Sequence, residues 1–213
     1  MPKKTPDTAA PQKSQRRLFQ EYSEALVMAV ILAILIRSLL VQAFKIPSSS
    51  MEDTLLVGDH ILVAKFVYGL RIPFTNIRWP NLHGPKRDDV IVFIFPEDRT
   101  KDFIKRVVAV GGETVQIVNK RVFVNGEEVS TPHAKFTDPR MIPKNLNARD
   151  TYGPYKVPED RLFVMGDNRD HSHDSRFWGF VPVKDVRGKA FIIYYSANPF
   201  PEIRWARLLN RIR

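Results

Sequence analysis

Three stretches of this 213-residue chain carry side chains that can do chemistry. Ser48, Ser49 and Ser50 stand in a row between Pro47 and Met51. Lys105 interrupts an otherwise apolar run, Phe103-Ile104-Lys105-Arg106-Val107-Val108-Ala109-Val110. The segment from Gly166 to Gly179 gathers Asp167, Asn168, Arg169, Asp170, His171, Ser172, His173, Asp174, Ser175 and Arg176.

Each stretch has a purely structural reading. Pro-Ser-Ser-Ser is common linker composition. A lysine in a strand serves at a sheet edge, where charge discourages aggregation. Interleaved aspartates and arginines neutralise one another. The chemical readings are three. Asp167, Asp170, His171, His173 and Asp174 supply the ligand types of a metal centre, but the arginines among them favour ion pairing, and no metal is expected. A Ser-His-Asp triad is arithmetically possible, yet the chain contains no G-x-S-x-G elbow. A Ser-Lys pair remains. Lysine at its ordinary pKa near 10.4 is a poor base. Burial in apolar surroundings disfavours the charged form and lowers that value, which makes the amine a usable base for a serine hydroxyl. Lys105, flanked by Phe103, Ile104, Val107 and Val108, has that context.

The elements that must position these groups follow from patterning. Residues 1 to about 18 are polar, contain Pro2, Pro6 and Pro11, and are expected to be a disordered tail. The run Ala25 to Phe44, ALVMAVILAILIRSLLVQAF, matches a bilayer's hydrocarbon thickness as a helix and lacks a polar stripe before Arg37. Arg37 lies past its midpoint and can snorkel to the exit side. A signal peptide cleaved near Val41-Gln42-Ala43 is the competing reading. The organisation expected is a cytoplasmic tail (1–24), a transmembrane helix (25–44) and an extracytoplasmic domain (45–213). The basic residues Lys3, Lys4, Lys13, Arg16 and Arg17 place the amino terminus inside.

Downstream the signals are β. Asp89–Phe95, Asp102–Val110, Arg161–Met165 and Gly188–Tyr195 read as strands. Thr114–Lys120 and Arg121–Val124 pair as a hairpin, and Asn125-Gly126 turns the chain toward Glu127-Glu128-Val129. By alternation Phe103, Lys105 and Val107 share one face of their strand and Ile104 and Arg106 the other, so one of the two basic residues is expected inside. Residues 70–88 form a loop whose Phe74, Trp79 and Pro80 suit a bilayer interface. Residues 130–160 form a long irregular excursion, and Ile203–Arg213 an amphipathic helix. No alternating helices support a parallel sheet, so the fold class is mainly β, a coiled antiparallel sheet or barrel.

Composition narrows the partners. A formal net charge of +10 calls for an anionic surface. The basic residues flank the apolar segment and, as Arg204, Arg207, Arg211 and Arg213, the chain's end. No nucleic-acid-binding motif is present, so anionic lipid is the expected partner and nucleic acid is not. The absence of cysteine excludes disulfides and thiol chemistry.

Taken together, Ile-Pro-Ser-Ser-Ser-Met-x-x-Thr-Leu after the apolar segment, Ile-Lys-Arg-Val-Val-Ala-Val-Gly-Gly-Glu, and Gly-Asp-Asn-Arg-Asp-x-Ser-x-Asp-Ser-Arg-x-Trp-Gly resemble bacterial type I signal peptidase (leader peptidase), in the same order. The resemblance implies a single-pass plasma-membrane serine endopeptidase with a periplasmic β-rich catalytic domain, no cofactor, and signal peptides of exported preproteins as substrates, cut after Ala-x-Ala. It implies Ser50 as nucleophile, Lys105 as general base, Ser48 as oxyanion donor beside the Ser50 backbone N–H, and Ser172 as the residue orienting Lys105. Arg106 with Asp167, and Asp174 with Arg176, are implied as structural ion pairs. Phe44, Ile46, Pro47, Met51, Leu55, Phe103 and Ile104 match positions lining shallow substrate pockets, against which an extended peptide adds as a strand. Ser49 stands where glycine is frequent, Asp53 where proline is frequent, His171 where asparagine is common, and Gly111-Gly112-Glu113 replaces Pro-Gly-Asp. Asp53 bears on the turn after the nucleophile. The alternatives are a soluble LexA-like autoprotease, disfavoured by the apolar segment, and a non-catalytic membrane-anchored β-domain that binds peptides or assists assembly.

Overall fold

Strand β6 (Asp102–Val110) carries Lys105 and Arg106. In the computed structural model, which describes residues 15–71, 78–79, 84–197 and 202–213, it pairs antiparallel with a strand on each side. The chain divides after Ser38 into a helical unit and a β unit.

In the first unit α1 (Gln15–Leu39) runs for 25 residues, roughly 37 Å at 1.5 Å per residue. Leu26, Val27, Met28, Val30, Ile31, Leu32, Ile34 and Ile36 are all exposed. Among the described residues no helix is long and apolar enough to cross a membrane. The side chains of Arg37 and Ser38, on which the snorkelling expectation rests, lie outside the described residues, as do Phe74, Pro80 and the Trp79 side chain.

Two boundaries differ from expectation. Gln15–Glu24 is helical, where a tail was expected; these residues are mostly good helix formers and contain no Pro or Gly. The helix expected to reach Phe44 ends at Leu39. Val41–Lys45 is instead strand β1, paired with β2 (Asp59–Ala64) from Val41↔Ala64 to Lys45↔His60. Tertiary pairing overrides the continuous apolar run that suggested helix.

The remaining strands are β3 (Leu70–Arg71), β4 (Arg78–Trp79), β5 (Val90–Ile94), β6, β7 (Thr114–Val118), β8 (Arg121–Val124), β9 (Glu127–Glu128), β10 (Tyr152–Lys156), β11 (Arg161–Met165), β12 (Val181–Pro182) and β13 (Val186–Ser196). A seven-stranded antiparallel sheet has the order β1-β2-β13-β5-β6-β11-β12, and a second sheet the order β10-β7-β8-β9. Register shifts along β13 and between β6 and β11 mark bulges, which bend strands and curl the large sheet. Gly188 makes one of these bends possible, because a Cβ there would lie 2.4 Å from the Ala64 carbonyl oxygen. The β7–β8 hairpin turns through Asn119 and Lys120, both at positive φ, as a two-residue type I′ loop requires.

One core cluster (Ile46, Met51, Leu55, Ile61, Val63, Val90, Val92, Ala190, Ile193, Ile212) lies under the serine turn. Another (Tyr68, Ile91, Phe93, Val107, Leu162, Val164) packs beneath β5, β6 and β11. Every residue of β5 is buried, which is why Val90–Ile94 reads as an unbroken apolar run rather than an alternating one. Fully burying a side chain such as Phe93 or Met51 contributes about 1.5–3 kcal/mol, so the two clusters can hold the polar site against them.

Two further expectations are corrected. The irregular excursion at 130–160 contains β10, paired with β7, and a bridge in which Lys135 runs parallel to Asn168. Ile203–Arg213 forms only a single 3-10 turn, Trp205–Arg207. Its backbone is captured by β13 instead: Ile193 N–H donates to Asn210 O at 3.0 Å, Leu209 N–H to Ile193 O at 2.7 Å, and Ile212 N–H to Phe191 O at 3.0 Å.

Candidate active site

Pro47 and Ser48 leave β1 in extended conformation, and Ser49–Met51 makes one 3-10 turn with Ser48 as its N-cap (φ −132°, ψ 158°). The turn stays short because Met51 is drawn entirely into the core below. That anchorage leaves Ser50 nearly buried, with its hydroxyl turned toward β6.

Lys105 sits at the centre of β6, opposite Ile91 of β5. It is 4% exposed, and Arg106 beside it is 3% exposed. The edge-strand reading of Lys105 is therefore overturned. The expectation that one of the two basic residues faces inward is exceeded as well, since β6 is covered on both faces. Lys105 Nζ donates to Ser50 Oγ at 2.7 Å and to the Ile104 carbonyl at 3.0 Å, and lies 5.5 Å from the centroid of the Phe103 ring. Burial pushes its pKa down to about 8, against the opposing pull of the Asp174 and Asp167 carboxylates and with a smaller push from Arg176. Relative to an ordinary value of 10.5, this raises the neutral fraction at pH 7 by about 300-fold. An amine so placed can take a proton from Ser50. Ser48 Oγ lies 3.4 Å from Ser50 Oγ, near enough to donate to an oxygen developing beside it.

The loop after β11 closes the site from behind. Gly166 backs directly onto the serine turn: a Cβ there would lie 2.4 Å from the Ser50 carbonyl oxygen and 2.3 Å from Ser172 Oγ. Asn168 N–H donates to the Ser50 carbonyl at 3.1 Å, and its Nδ2 to the Ser49 carbonyl at 3.2 Å. The two ion pairs are formed and buried. Arg106 grips Asp167 through Nε (2.8 Å) and Nη2 (2.7 Å), while Thr54 Oγ1 donates to the same carboxylate at 2.6 Å. Arg176 grips Asp174 through Nε (2.8 Å) and Nη2 (2.9 Å) and donates to the Arg149 and Arg169 carbonyls. Gly166 N–H donates to Asp174 at 3.0 Å. Burial pushes the Asp174 carboxyl up, but Arg176 beside it more than offsets this and holds it below the ordinary range.

Not every expected residue falls as expected. Ser172 is buried, but its hydroxyl makes no hydrogen bond to Lys105 and falls short of bonding geometry with any described partner, although it is near enough Asp174 to help hold that carboxyl down. Met51 and Leu55 have no exposed surface and form the floor beneath the site rather than its lining, and Ile46 is 2% exposed. Phe44, Phe103 and Ile104 are half-buried and Pro47 is exposed, so these four present surface to a ligand. Asp170 is taken by Lys120 at 2.8 Å, His171 and His173 are exposed, and among the described residues no three His, Cys, Asp or Glu side chains gather as a metal site.

Sequence reasoning missed Gly166, Asn168 and Thr54 as parts of the site. The signal was their spacing: two of them flank Asp167, and Thr54 follows Ser50 by one helical turn. It also missed Lys135, which reaches from the excursion to Asp53 at 2.8 Å, just after Ser50 in the chain.

Comparison with known proteins identifies the family. The family described as signal peptidase, peptidase S26, matches residues 19–195. A signal peptidase I of Pseudomonas fluorescens is 35% identical over 96% of this chain and 82% of its own length. One from Aquifex aeolicus is 37% identical over 82% of this chain and 88% of its own. Signal peptidase I P of Bacillus subtilis subsp. natto is 32% identical over 88% and 92%, respectively. A solved signal peptidase I structure from Enterococcus faecalis V583 aligns with a TM-score of 0.41 at 29% identity, over 50% of this chain and 97% of that one.

Proposed function

The chain belongs to the signal peptidase family, peptidase S26, and we propose that it is a membrane-anchored serine endopeptidase that removes signal peptides from exported preproteins after Ala-x-Ala. The observation that carries the mechanism is the buried 2.7 Å contact between Lys105 Nζ and Ser50 Oγ.

The neutral amine of Lys105 accepts the Ser50 proton as Oγ attacks the scissile carbonyl. The oxyanion is received by the Ser50 backbone N–H and the Ser48 hydroxyl. Lys105, now charged, passes its proton to the departing amine, and an acyl-enzyme ester on Ser50 remains. A water molecule, deprotonated in turn by Lys105, releases the signal peptide. Ser172 is given the role of orienting Lys105 by the family resemblance, although its hydroxyl makes no hydrogen bond to that amine. The ion pairs Arg106–Asp167 and Asp174–Arg176 hold the loop that fixes the serine turn.

The substrate lies extended beside β6. β11 pairs with β6 only from Arg106 onward, which leaves Phe103–Lys105 without a strand on that side, and β1 is an edge of the large sheet. Both are ready to accept a strand. The pockets are shallow because Met51 and Leu55 fill the space beneath, so only small side chains such as alanine fit over Phe44, Pro47, Phe103 and Ile104. The apolar side chains exposed along α1 support insertion in a bacterial plasma membrane, with the amino terminus in the cytoplasm and the β unit in the periplasm.

The test is cleavage of a purified preprotein bearing Ala-x-Ala. The unmodified chain is expected to cut after the second alanine, and Ser50→Ala and Lys105→Met to lose at least 1,000-fold. Either variant retaining full activity refutes the mechanism.

A further inference from the structure

A row of aromatic rings leads away from the catalytic amine, and the peptidase mechanism leaves it unused. Lys105 Nζ lies 5.5 Å from the centroid of the Phe103 ring. Phe103 stacks on Phe95 with centroids 4.2 Å apart. Phe95 and His173 meet edge to face at 6.4 Å, and His173 stacks on Phe177 at 5.4 Å. Phe95 is the buried support of this ledge. Phe103 is half-buried, His173 is exposed, and Phe177 is 41% exposed.

Two features give the ledge a place in the reaction. The first is the division of side chains along β6. Ile104 packs with Phe44 on the cluster beneath the serine turn, whereas Phe103 and Trp178 pack on the cluster beneath β5, β6 and β11. The ledge thus extends away from the Phe44 side, which receives alanines that precede the cut bond. The second is the end of the open strand edge. With the alanines over Phe103 and Ile104 and the scissile carbonyl at Lys105, the substrate strand runs in the direction of β6. One residue further on, Arg106 pairs with Met165, and the edge is taken by β11. The chain beyond the cut bond therefore lifts off β6 and crosses the loop that follows β11. From Ser172 to Phe177 that loop buries Ser172, Asp174, Ser175 and Arg176, and exposes only His173 and Phe177.

We propose that the ledge of Phe103, His173 and Phe177 binds the first residues of the mature protein and favours an aromatic or large aliphatic side chain within the first three positions after the cut. The inference rests on the peptidase reading above. Three extended residues span about 10 Å, enough to carry a side chain past Phe103 toward the outer rings. Offset or edge-on contact between rings gains more than the area it buries, and a large aliphatic side chain gains by burial alone. Phe177 is held in place from behind by the Arg176 guanidinium, 5.8 Å from its ring, which Asp174 fixes in turn. The ledge leaves the Ala-x-Ala requirement intact and adds a second determinant of how fast a preprotein is cut.

The experiment uses the full chain in detergent and a set of preproteins with one Ala-x-Ala signal peptide. They differ only in carrying Phe, Leu or Ser at each of the first three mature positions in turn. At one or more of these positions Phe and Leu are expected to raise kcat/KM about 5-fold over Ser. The double variant His173→Ser with Phe177→Ser is expected to bring that ratio near 1. The ratio compares two substrates on one protein, so a smaller folded fraction lowers both rates and does not move it. A free peptide of the first six mature residues bearing Phe is expected to inhibit the unmodified chain about 5-fold more strongly than its Ser counterpart, a readout that needs no variant. Equal kcat/KM for Phe, Leu and Ser at all three positions, or a preference undiminished in the double variant, would overturn the proposal and leave the peptidase reading standing. No cleavage of any member of the set would overturn the peptidase reading and this inference with it.

Discussion

Replacing Lys105 with methionine is expected to abolish activity and at the same time stabilise the fold near neutral pH. Lys105 has a folded pKa of about 8 against an ordinary value of 10.5, mainly because burial disfavours the charged amine. Below pH 8 the amine is protonated in both states, so the folded chain carries the full penalty of burying the charge. Taking 1.36 kcal/mol per pKa unit, the difference of 10.5 − 8 amounts to about 3 kcal/mol. As pH rises from about 8 to 10.5 the folded chain is already deprotonated while the unfolded chain still binds a proton. Stability therefore climbs with pH across that window, and the penalty is relieved. Methionine keeps the stem's bulk and removes the charge, but it forfeits the hydrogen bonds to Ser50 and to the Ile104 carbonyl, about 1 kcal/mol each. The net gain at pH 7 is thus about 1–2 kcal/mol, a few degrees in melting midpoint. The more robust quantity is the change with pH, in which the hydrogen-bond loss largely cancels. Between pH 7 and 9.5 the stability advantage of Lys105→Met is expected to shrink by about 2 kcal/mol. Chemical denaturation of both proteins at the two pH values measures it. A stability difference that does not vary with pH would refute the premise that Lys105 is held in a desolvated, pKa-depressed state.

Other perturbations probe the support around the dyad. Arg106→Met strands the buried Asp167 carboxylate and is expected to destabilise by about 3–5 kcal/mol, whereas the double variant Arg106→Met with Asp167→Leu recovers most of that loss; denaturation midpoints decide. Gly166→Ala places a Cβ against the Ser50 carbonyl and Ser172, so cleavage is expected to fall by at least 100-fold with a smaller effect on substrate affinity, measured as separate kcat and KM. Treatment with EDTA followed by the cleavage assay is expected to leave the rate unchanged, because the proposed chemistry needs only the serine and lysine; a loss reversed by added metal would contradict it.

How much of this was legible beforehand varied with the kind of signal. Strand β6 matches its expected bounds, Asp102–Val110, because the run is β-branched and is closed by Gly111-Gly112. The β7–β8 hairpin was equally plain, since Asn119 can adopt the positive φ that its turn requires. The end of the helix was not legible. Leu40 to Phe44 is as apolar as the residues before it, and only pairing with β2, a partner distant in sequence, separates strand from helix. The C-terminal amphipathic pattern misled for a similar reason, because β13 takes the backbone hydrogen bonds that a helix would have kept. At the site, Lys105 stood out as a charge in an apolar run and the serine row by its composition. The full burial of Met51 and Leu55 beneath that row was hidden, because an apolar residue reads alike whether it lines a pocket or fills the space below it. Arg169 was hidden among neighbouring charges, and only the structure shows that, among the described residues, its Nε and Nη1 bond to nothing while Arg106 and Arg176 are paired.

In the proposed mechanism neutral Lys105 deprotonates Ser50. The most direct measurement is kcat/KM for cleavage of an Ala-x-Ala preprotein as a function of pH, which reports the essential base of the free enzyme. An acid limb with a midpoint near pH 8 is expected, so that the rate at pH 6 is about 1% of the plateau, in line with the depressed lysine pKa. A limb near pH 6.5, as for an unperturbed histidine, or a rate unchanged between pH 6 and 9, would contradict it.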